Sequence, residues 1–137
     1  QLGADGVQLG TRFVTTTECD ASEIFKQAYI DATEADVEII KSPVGMPGRA
    51  IFSDFLQKVK DGEKQPKSCP FHCIKTCQIE TSPYCIMLAL FNAYKGNMTM
   101  GYAFAGTNAH LATAIVTVKD TMDAIQEEYK AREKELV

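Results

Sequence analysis

The segment GADGVQLGTRF, residues 3–13, combines residue types that bind phosphate groups. A short apolar run at residues 7–9 ends at Gly10, which is followed by Thr11. Free backbone N–H groups at the end of a strand hold a dianionic phosphate well, and a glycine lets the anion approach the backbone closely. Taken by itself, the motif favours an ordinary tight turn, because short glycine motifs are common.

Four cysteines form a second group that could do chemistry, at the spacing C-x3-C-x3-C-x7-C. If residues 68–78 were helical, the first three thiols would share one face. Four thiolates could hold zinc or an iron–sulfur cluster. The spacing matches neither the usual C-x2-C zinc pairs nor the ferredoxin pattern, so buried or redox-labile thiols are the favoured interpretation. The candidate metal ligands are Cys69, Cys73, Cys77 and Cys85.

The other residues of this kind have simpler explanations. His72 lies between two of the clustered cysteines and is interpreted as a surface histidine rather than a ligand. Cys19 stands apart from the cluster and is expected to be a packing residue.

Two segments have the pattern of β-strands, residues 6–10 and residues 37–40. Two short strands cannot form an independently stable sheet without much further packing. We therefore expect that the protein has supporting structure before Gln1.

Much of the remaining sequence predicts helices. Asp20 and Glu23 form a capping-box pattern before a first helix. A second helix is predicted after Pro47 and Gly48, with Gly62 as its end.

Three further helices are predicted in the second half of the chain. The first spans residues 82–96 and a short one spans residues 108–116. The last begins at Thr117, where Asp120 completes another capping box. Its predicted buried face consists of Met122, Ile125 and Tyr129.

The composition limits the class of protein. The chain has 137 residues, 45% hydrophobic and 23% charged, which is typical of a single globular domain. The net charge is -4 and the basic residues are scattered, so the sequence lacks the clustered basic surface that binds nucleic acids. No apolar run is long enough for a membrane helix, and the start lacks signal-peptide features. An odd number of crowded cysteines argues against a secreted disulfide framework, so a cytoplasmic, reducing location is expected.

Four segments in order along the chain resemble one family. They are GADGVQLGTRF at residues 3–13, TTTECDASEIFKQAYIDA at residues 15–32, VGMPGRAI at residues 44–51 and MGYAFAGTNAH at residues 100–110. Together they resemble the nitronate monooxygenases, once called 2-nitropropane dioxygenases, whose family includes the flavin-dependent enoyl-acyl-carrier-protein reductases. The resemblance favours the nitronate monooxygenase branch.

The resemblance implies an α/β fold, with residues 1–137 as the C-terminal part of a (β/α)8 TIM barrel that binds flavin mononucleotide (FMN). Residues 6–10 would be its last strand, followed by a helical region with the cysteine-rich segment 69–85. Seen by itself, the chain would be mostly helical with little sheet.

The resemblance also implies roles for individual residues. Gln8, Gly10 and Thr11 match positions that contact the flavin phosphate. Gly106 lies in a segment near the flavin, together with its neighbours Ala105 and Thr107, although Thr107 stands where the family often has Gln.

The family's catalytic histidine is expected upstream of this chain, and no residue here matches it. His72 and His110 are not expected to substitute for it.

The implied activity is oxidation of small alkyl nitronates with FMN and oxygen. FMN-dependent reduction of enoyl-acyl-carrier-protein is the first alternative. A metal-binding or interaction module built on the cysteine cluster is the second. The chain alone is expected to be inactive and to bind flavin weakly, because it would need the N-terminal part of the barrel as its partner. The intact protein could also form oligomers.

Overall fold

The computed structural model describes residues 4–63 and 68–135. Four α-helices and three short strands lie in this part, with 3-10 turns at Thr11–Phe13, Glu34–Asp36 and Ala109–Leu111. No described helix is both long enough and apolar enough to cross a membrane. In chain order the main elements are α1 (Glu23–Asp31), β1 (Val37–Lys41), β2 (Pro47–Ile51), α2 (Asp54–Lys60), α3 (Ile86–Tyr94), β3 (Ala103–Phe104) and α4 (Val118–Glu135).

The three strands form one antiparallel sheet in the order β1-β2-β3. Strand β1 confirms the prediction for residues 37–40. The helix predicted directly after Pro47 and Gly48 begins later than expected, because residues 47–51 form β2. Gly48 lies beneath an aromatic ring of β3, where an added Cβ would be 2.4 Å from Cε1 of Phe104. Pairing with both neighbours therefore overrides the helical pattern of this segment.

An aromatic cluster joins the sheet to the helices. The Phe55 and Tyr84 rings meet edge to face with centroids 5.3 Å apart, and the Tyr84 hydroxyl donates to that of Tyr102 at 3.1 Å. Burial raises the pKa of both tyrosines. Such fully buried aromatic side chains contribute much of the apolar area in a small core. Their partners in this cluster are Ile40, Ala50, Leu56 and Ala89.

A second core cluster attaches α1 to the sheet. Tyr29 is buried, and its hydroxyl donates to the carbonyl oxygen of Phe104 at 2.6 Å. Burial also raises the pKa of this phenol. Ala103 and Ala109 pack in the same cluster, so α1 lies over the segment that leads from β3 to the last 3-10 turn.

Several helix boundaries differ from the prediction by a few residues. Helix α1 is capped by Ser22, whose Oγ accepts from the Phe25 amide at 3.2 Å, and not by Asp20. The prediction missed this because both residues are good caps and the pattern cannot rank them. Helix α2 does end before Gly62, which has a left-handed φ of 87°.

The helices predicted from residue 82 and from residue 108 are shorter than expected. Helix α3 starts only at Ile86. The segment 108–116 contains a single 3-10 turn, without a side-chain cap from Asn108. Residues 82–85 are not helical because the chain enters the core there, with Tyr84 buried. Val116 is not helical because it pairs with Thr16.

Helix α4 has the predicted capping box but a different buried residue. The Asp120 amide donates to Thr117 Oγ1 at 3.0 Å, while the Thr117 amide donates to Asp120 Oδ2 at 3.2 Å. Met122 and Tyr129, predicted to be buried, are exposed, and Thr121 is buried instead. An apolar stripe shows which face can be covered, whereas a neighbouring element decides whether it is covered.

Residues 6–10, predicted as the last strand of a barrel, do not pair with any described segment of this chain, and their pairing within the barrel stays a prediction. Residues 6–9 carry no strand pairing, and the side chain of Val7 is 81% exposed. A strand is defined by its hydrogen-bonded neighbours, and no described segment pairs with these residues.

Gly101 permits a close approach between the start of β3 and helix α3. A Cβ added at this position would be 2.1 Å from the carbonyl oxygen of Ala89 and 2.8 Å from the amide nitrogen of Ala93. These are backbone atoms in the middle of a helix, so they cannot move aside cheaply.

We therefore predict that Gly101→Ala lowers the free energy of unfolding by about 3 kcal/mol, the upper end for overpacked cores. Chemical denaturation measures it. Gly6→Ala is the matched control, because no atom lies within 4 Å of its added Cβ. Equal stability of the two variants would show that the close approach does not exist.

Candidate functional site

The start of the described chain meets the segment after β3 around a pocket of about 840 Å³. The first wall is formed by residues 8–12 and Thr15. The second wall consists of residues 106–109, 111–114 and Val116, and the first turns of α4 close the site with Asp120, Thr121 and Ala124. A volume of this size is within the range of cofactor and small-molecule sites.

One hydrogen bond joins the two walls directly. The amide of Gly106 donates to Oγ1 of Thr11 at 2.8 Å. An added Cβ at Gly106 would be 3.3 Å from the same oxygen, so the absence of a side chain keeps this contact short. Two segments that are far apart in sequence are thereby fixed against each other.

The glycine turn leaves backbone donors at the pocket. Gly10 precedes the 3-10 turn Thr11–Phe13, whose first bonds are from Phe13 N to Gly10 O and from Val14 N to Thr11 O. The amides of Gly10, Thr11 and Arg12 come before those donors and are not used within the turn. A Cβ at Gly10 would meet no atom within 4 Å, so the space beside Gly10 is open.

A short parallel pairing holds the base of the pocket. Thr16 and Val116 form a β-bridge, in which Thr17 N donates to Val116 O at 2.8 Å and Val116 N donates to Thr15 O at 3.1 Å. This bridge brings the chain after the glycine turn alongside the chain that enters α4.

Glu18 holds the N-terminus of α4 from the same side. Its two carboxylate oxygens accept the amide hydrogen of Val118 at 3.0 and 2.9 Å. This backbone hydrogen bond, followed by one from the Thr17 hydroxyl, lowers the pKa of Glu18. A carboxylate at a helix N-terminus also interacts favourably with the helix dipole.

Two charged side chains line the pocket. The guanidinium of Arg12 pairs with the Glu128 carboxylate of α4 at 3.2 Å, and both groups are largely exposed. Asp120 lies at the first turn of α4, where hydrogen bonds from the Thr117 side chain and backbone lower its pKa. An exposed pair such as Arg12–Glu128 contributes little stability, so the guanidinium can turn to an anion at low cost.

The residues predicted as flavin contacts lie together. Gln8, Gly10, Thr11 and Gly106 all line this pocket, as does Thr107. Ala105 is not among the lining residues, and its amide instead bonds to the carbonyl oxygen of Arg49.

Arg12, Asp120 and Ala124 also line the pocket, although the sequence did not mark them as site residues. Arg12 could have been suggested by its place directly after the glycine turn. Asp120 and Ala124 carried only the signals of a helix cap and a helix interior.

The two histidines lie elsewhere. His110 follows Ala109 but does not line the pocket, and its buried Nδ1 has no hydrogen-bond partner among the residues that the structure describes. His72 lies in a separate pocket of about 650 Å³.

That second pocket contains the cysteine cluster: Cys69, Cys73, Cys77 and Cys85. Residues 68–78, which would place three thiols on one face if they were helical, do not form a helix. A left-handed φ of 46° at His72 turns the chain out of any helix at this point. All five cysteines are free thiols, and only Cys85 of the four is buried. In residues 4–63 and 68–135, no three potential ligands are arranged to hold a metal ion.

Comparison with known proteins identifies the family. The sequence model of the nitronate monooxygenases matches residues 1–128. The chain belongs to the nitronate monooxygenase family.

Two curated relatives in the family match this chain over different lengths. A probable nitronate monooxygenase from Staphylococcus haemolyticus is 30% identical over 129 residues, 94% of this chain and 33% of the relative. Another, from Staphylococcus saprophyticus, is 35% identical over 69 residues, 50% of this chain and 19% of the relative. The chain thus spans a third or less of the length of these relatives.

A solved structure shows the fold of this nitronate monooxygenase family member. FabK from Thermotoga maritima superposes with a TM-score of 0.75 at 27% identity, covering 98% of this chain and 40% of FabK. FabK is a TIM-barrel enzyme, so the chain is a portion of an α/β barrel, seen here as helices with a small sheet. The likeness also confirms the predicted relation to the flavin-dependent enoyl-acyl-carrier-protein reductases.

We predict that Thr11→Val separates the two walls, whereas Thr11→Ser keeps them joined. Valine has the shape of threonine but no hydroxyl to accept the Gly106 amide. Hydrogen exchange at Gly106 should become about fivefold faster in the valine variant, as about 1 kcal/mol for one hydrogen bond implies. Unchanged exchange at Gly106 in the valine variant would contradict the contact.

We also predict that acid loosens the first turn of α4. The pKa of Asp120 is lower folded than unfolded, so its contribution is complete above the unfolded value and is lost as the pH falls through the folded value. NMR should show the Thr117 amide shifting in this range, below about pH 4. In Asp120→Asn that shift should vanish. An Asp120 titration at or above the usual aspartate pKa would rule this capping interaction out.

Proposed function

We propose that the intact protein containing this chain oxidises alkyl nitronates with FMN and oxygen. In this proposal the pocket between residues 8–12 and 106–109 holds the phosphate end of FMN. The physiological substrate would be a small molecule bound mostly by parts of the protein outside this chain.

One observation carries the proposal: the Gly106 amide donates to Thr11 Oγ1. The family resemblance assigns flavin contacts to both of these segments independently. If the segments of Thr11 and Gly106 lay far apart, they could not both contact one flavin. Their direct contact around one pocket supports that role.

The chemistry of the pocket suits a phosphate. The glycine turn offers backbone donors that are not used within the turn, and no side chain at Gly10 fills the space above them. Backbone N–H groups in such a concave arrangement form a common anion site. Arg12 lines the same pocket, and its guanidinium, which pairs with Glu128 in this structure, matches phosphate geometry.

These positions indicate which part of the reaction this chain supports. FMN supplies the redox chemistry when bound, while this chain positions its phosphate end. Neither described histidine lines the pocket, so we place the catalytic base in another part of the protein. The chain by itself should therefore be inactive. Its weak flavin binding, cytoplasmic location and oligomeric state stay predictions.

The structural likeness to FabK favours a second candidate, the reduction of enoyl thioesters with the same flavin. Both activities would use one phosphate site, so this chain does not distinguish them. The difference lies in what exchanges electrons with the flavin.

The test is to purify the natural full-length protein and follow its flavin spectrum. Nitronate with oxygen should turn over, and an enoyl thioester with reduced nicotinamide should not. The reverse result would assign the reductase activity. A protein that binds no FMN at all would overturn both.

We predict that Gly10→Val raises the Kd for FMN by at least about tenfold, because a side chain would occupy the space over the donors. Fluorescence titration of the full-length apoprotein measures this. Gly6→Val is the control, since Gly6 is also exposed and uncrowded but does not line the pocket. If both variants bound FMN like the wild type, the phosphate site would have to lie elsewhere.

A further inference from the structure

The second pocket has an unusual chemical composition. Four of the five thiols of this chain line it, and Cys19 alone lies outside. The chain visits the pocket first over residues 68–80 and returns at Cys85 and Ile86. Thiols thus come to one cavity of about 650 Å³ from the long connection and from the start of α3.

The described segment that carries three of these thiols, residues 68–83, has little regular structure. It lies in the connection from the end of α2 at Lys60 to the start of α3 at Ile86, and its residues form neither helix nor strand. Its described backbone hydrogen bonds are local, as in Cys77 N to Ile74 O at 3.1 Å. Connections longer than about 12–15 residues are uncommon in compact domains unless they are functional or disordered.

A backbone amide of this segment donates a hydrogen bond to one of the sulfurs. His72 has a left-handed φ of 46°, which is costly for a residue other than glycine. In this conformation its amide donates to Sγ of Cys69 at 3.2 Å. Hydrogen bonds to ligating sulfurs are one of the ways in which proteins tune cysteine-bound metal sites.

The electrostatics of the pocket favour a negatively charged group of thiolates. Cys85 is the N-cap of α3, a nine-residue helix with no acidic side chain in its first turn. The positive end of the helix dipole therefore lies at Cys85. Lys75 and Glu80 line the pocket with opposite charges, so the start of α3 at Cys85 is the feature that favours thiolates here.

From this arrangement we propose that the pocket binds a zinc ion through the four thiolates of Cys69, Cys73, Cys77 and Cys85. Each ligating thiol releases its proton to solvent as the metal binds. Zinc accepts four sulfur ligands tetrahedrally, without a redox partner.

Binding must draw the ligands together. Cys73 and Cys77 are exposed and Cys85 is buried, and no three of the described ligands are spaced for a metal in this conformation. Residues 70–78 are exposed and their backbone hydrogen bonds are local, so they can move toward Cys85 while Ile79 stays buried. The metal would then hold the connection against α3. The site is separate from the flavin pocket, so the inference does not rest on the proposed function.

The experiment is metal analysis of the natural full-length protein, purified under reducing conditions and then freed of metal with a chelator. Zinc should rebind in a one-to-one ratio. Cobalt(II) used as a probe should give the intense thiolate-to-metal charge-transfer bands and d–d bands of a tetrahedral sulfur site. Circular dichroism before and after loading reports the ordering of the connection.

Substitution identifies the ligands. Cys73→Ser and Cys77→Ser change exposed residues and should leave the fold intact, yet each should raise the Kd for zinc by more than about a hundredfold, beyond the effect of outer-shell partners. Cys19→Ser is the matched control and should bind like the wild type. His72→Ala should also bind, because His72 contributes its backbone amide.

Three results would overturn the inference. The first is a protein without stoichiometric zinc whose cobalt spectrum lacks sulfur charge-transfer bands. The second is equal zinc affinity in Cys73→Ser, Cys77→Ser and Cys19→Ser. The third is a full-length protein that purifies with bound iron and sulfide in place of zinc, which would assign the pocket to an iron–sulfur cluster.

Discussion

The candidate site depends on the contact between residues 8–18 and residues 106–121. The Gly106 amide bonds to the hydroxyl of Thr11, and Thr16 pairs with Val116 at the base of the pocket. The carboxylate of Glu18 accepts a hydrogen bond from the amide of Val118, the first residue of α4. Each of these bonds satisfies a backbone group that would otherwise need water, so the same interactions that stabilise the local fold also build the pocket.

The rest of the fold determines where that contact can form. Tyr29 bonds to the carbonyl oxygen of Phe104 and fixes α1 on the end of the sheet. Gly101 lets the chain run directly against α3 before it enters β3. Because both constraints act just before residues 105–107, they set the position at which Gly106 reaches Thr11. The small antiparallel sheet therefore acts as the support of one pocket wall.

Family membership and local chemistry answer different questions. The match over residues 1–128 and the likeness to FabK establish the family and the barrel fold. They do not identify the substrate, because one fold supports many activities. The two pockets also have different characters. The first offers backbone donors and a guanidinium suited to an anion, whereas the second offers thiols suited to a soft metal.

The sequence by itself determined the local features. The capping box of Thr117 and Asp120 and the end of α2 before Gly62 follow from side chains acting on nearby backbone, so patterns reveal them. The apolar pattern of residues 37–40 also indicated a strand, although not its partner. The resemblance also gave Gln8, Gly10, Thr11 and Gly106 as one group. Only the tertiary structure decided that residues 6–9 lack strand pairing, that residues 47–51 pair as a strand and that Met122 is exposed. Strand pairing and burial require a second segment in the right place, and that information is not local to the residues concerned.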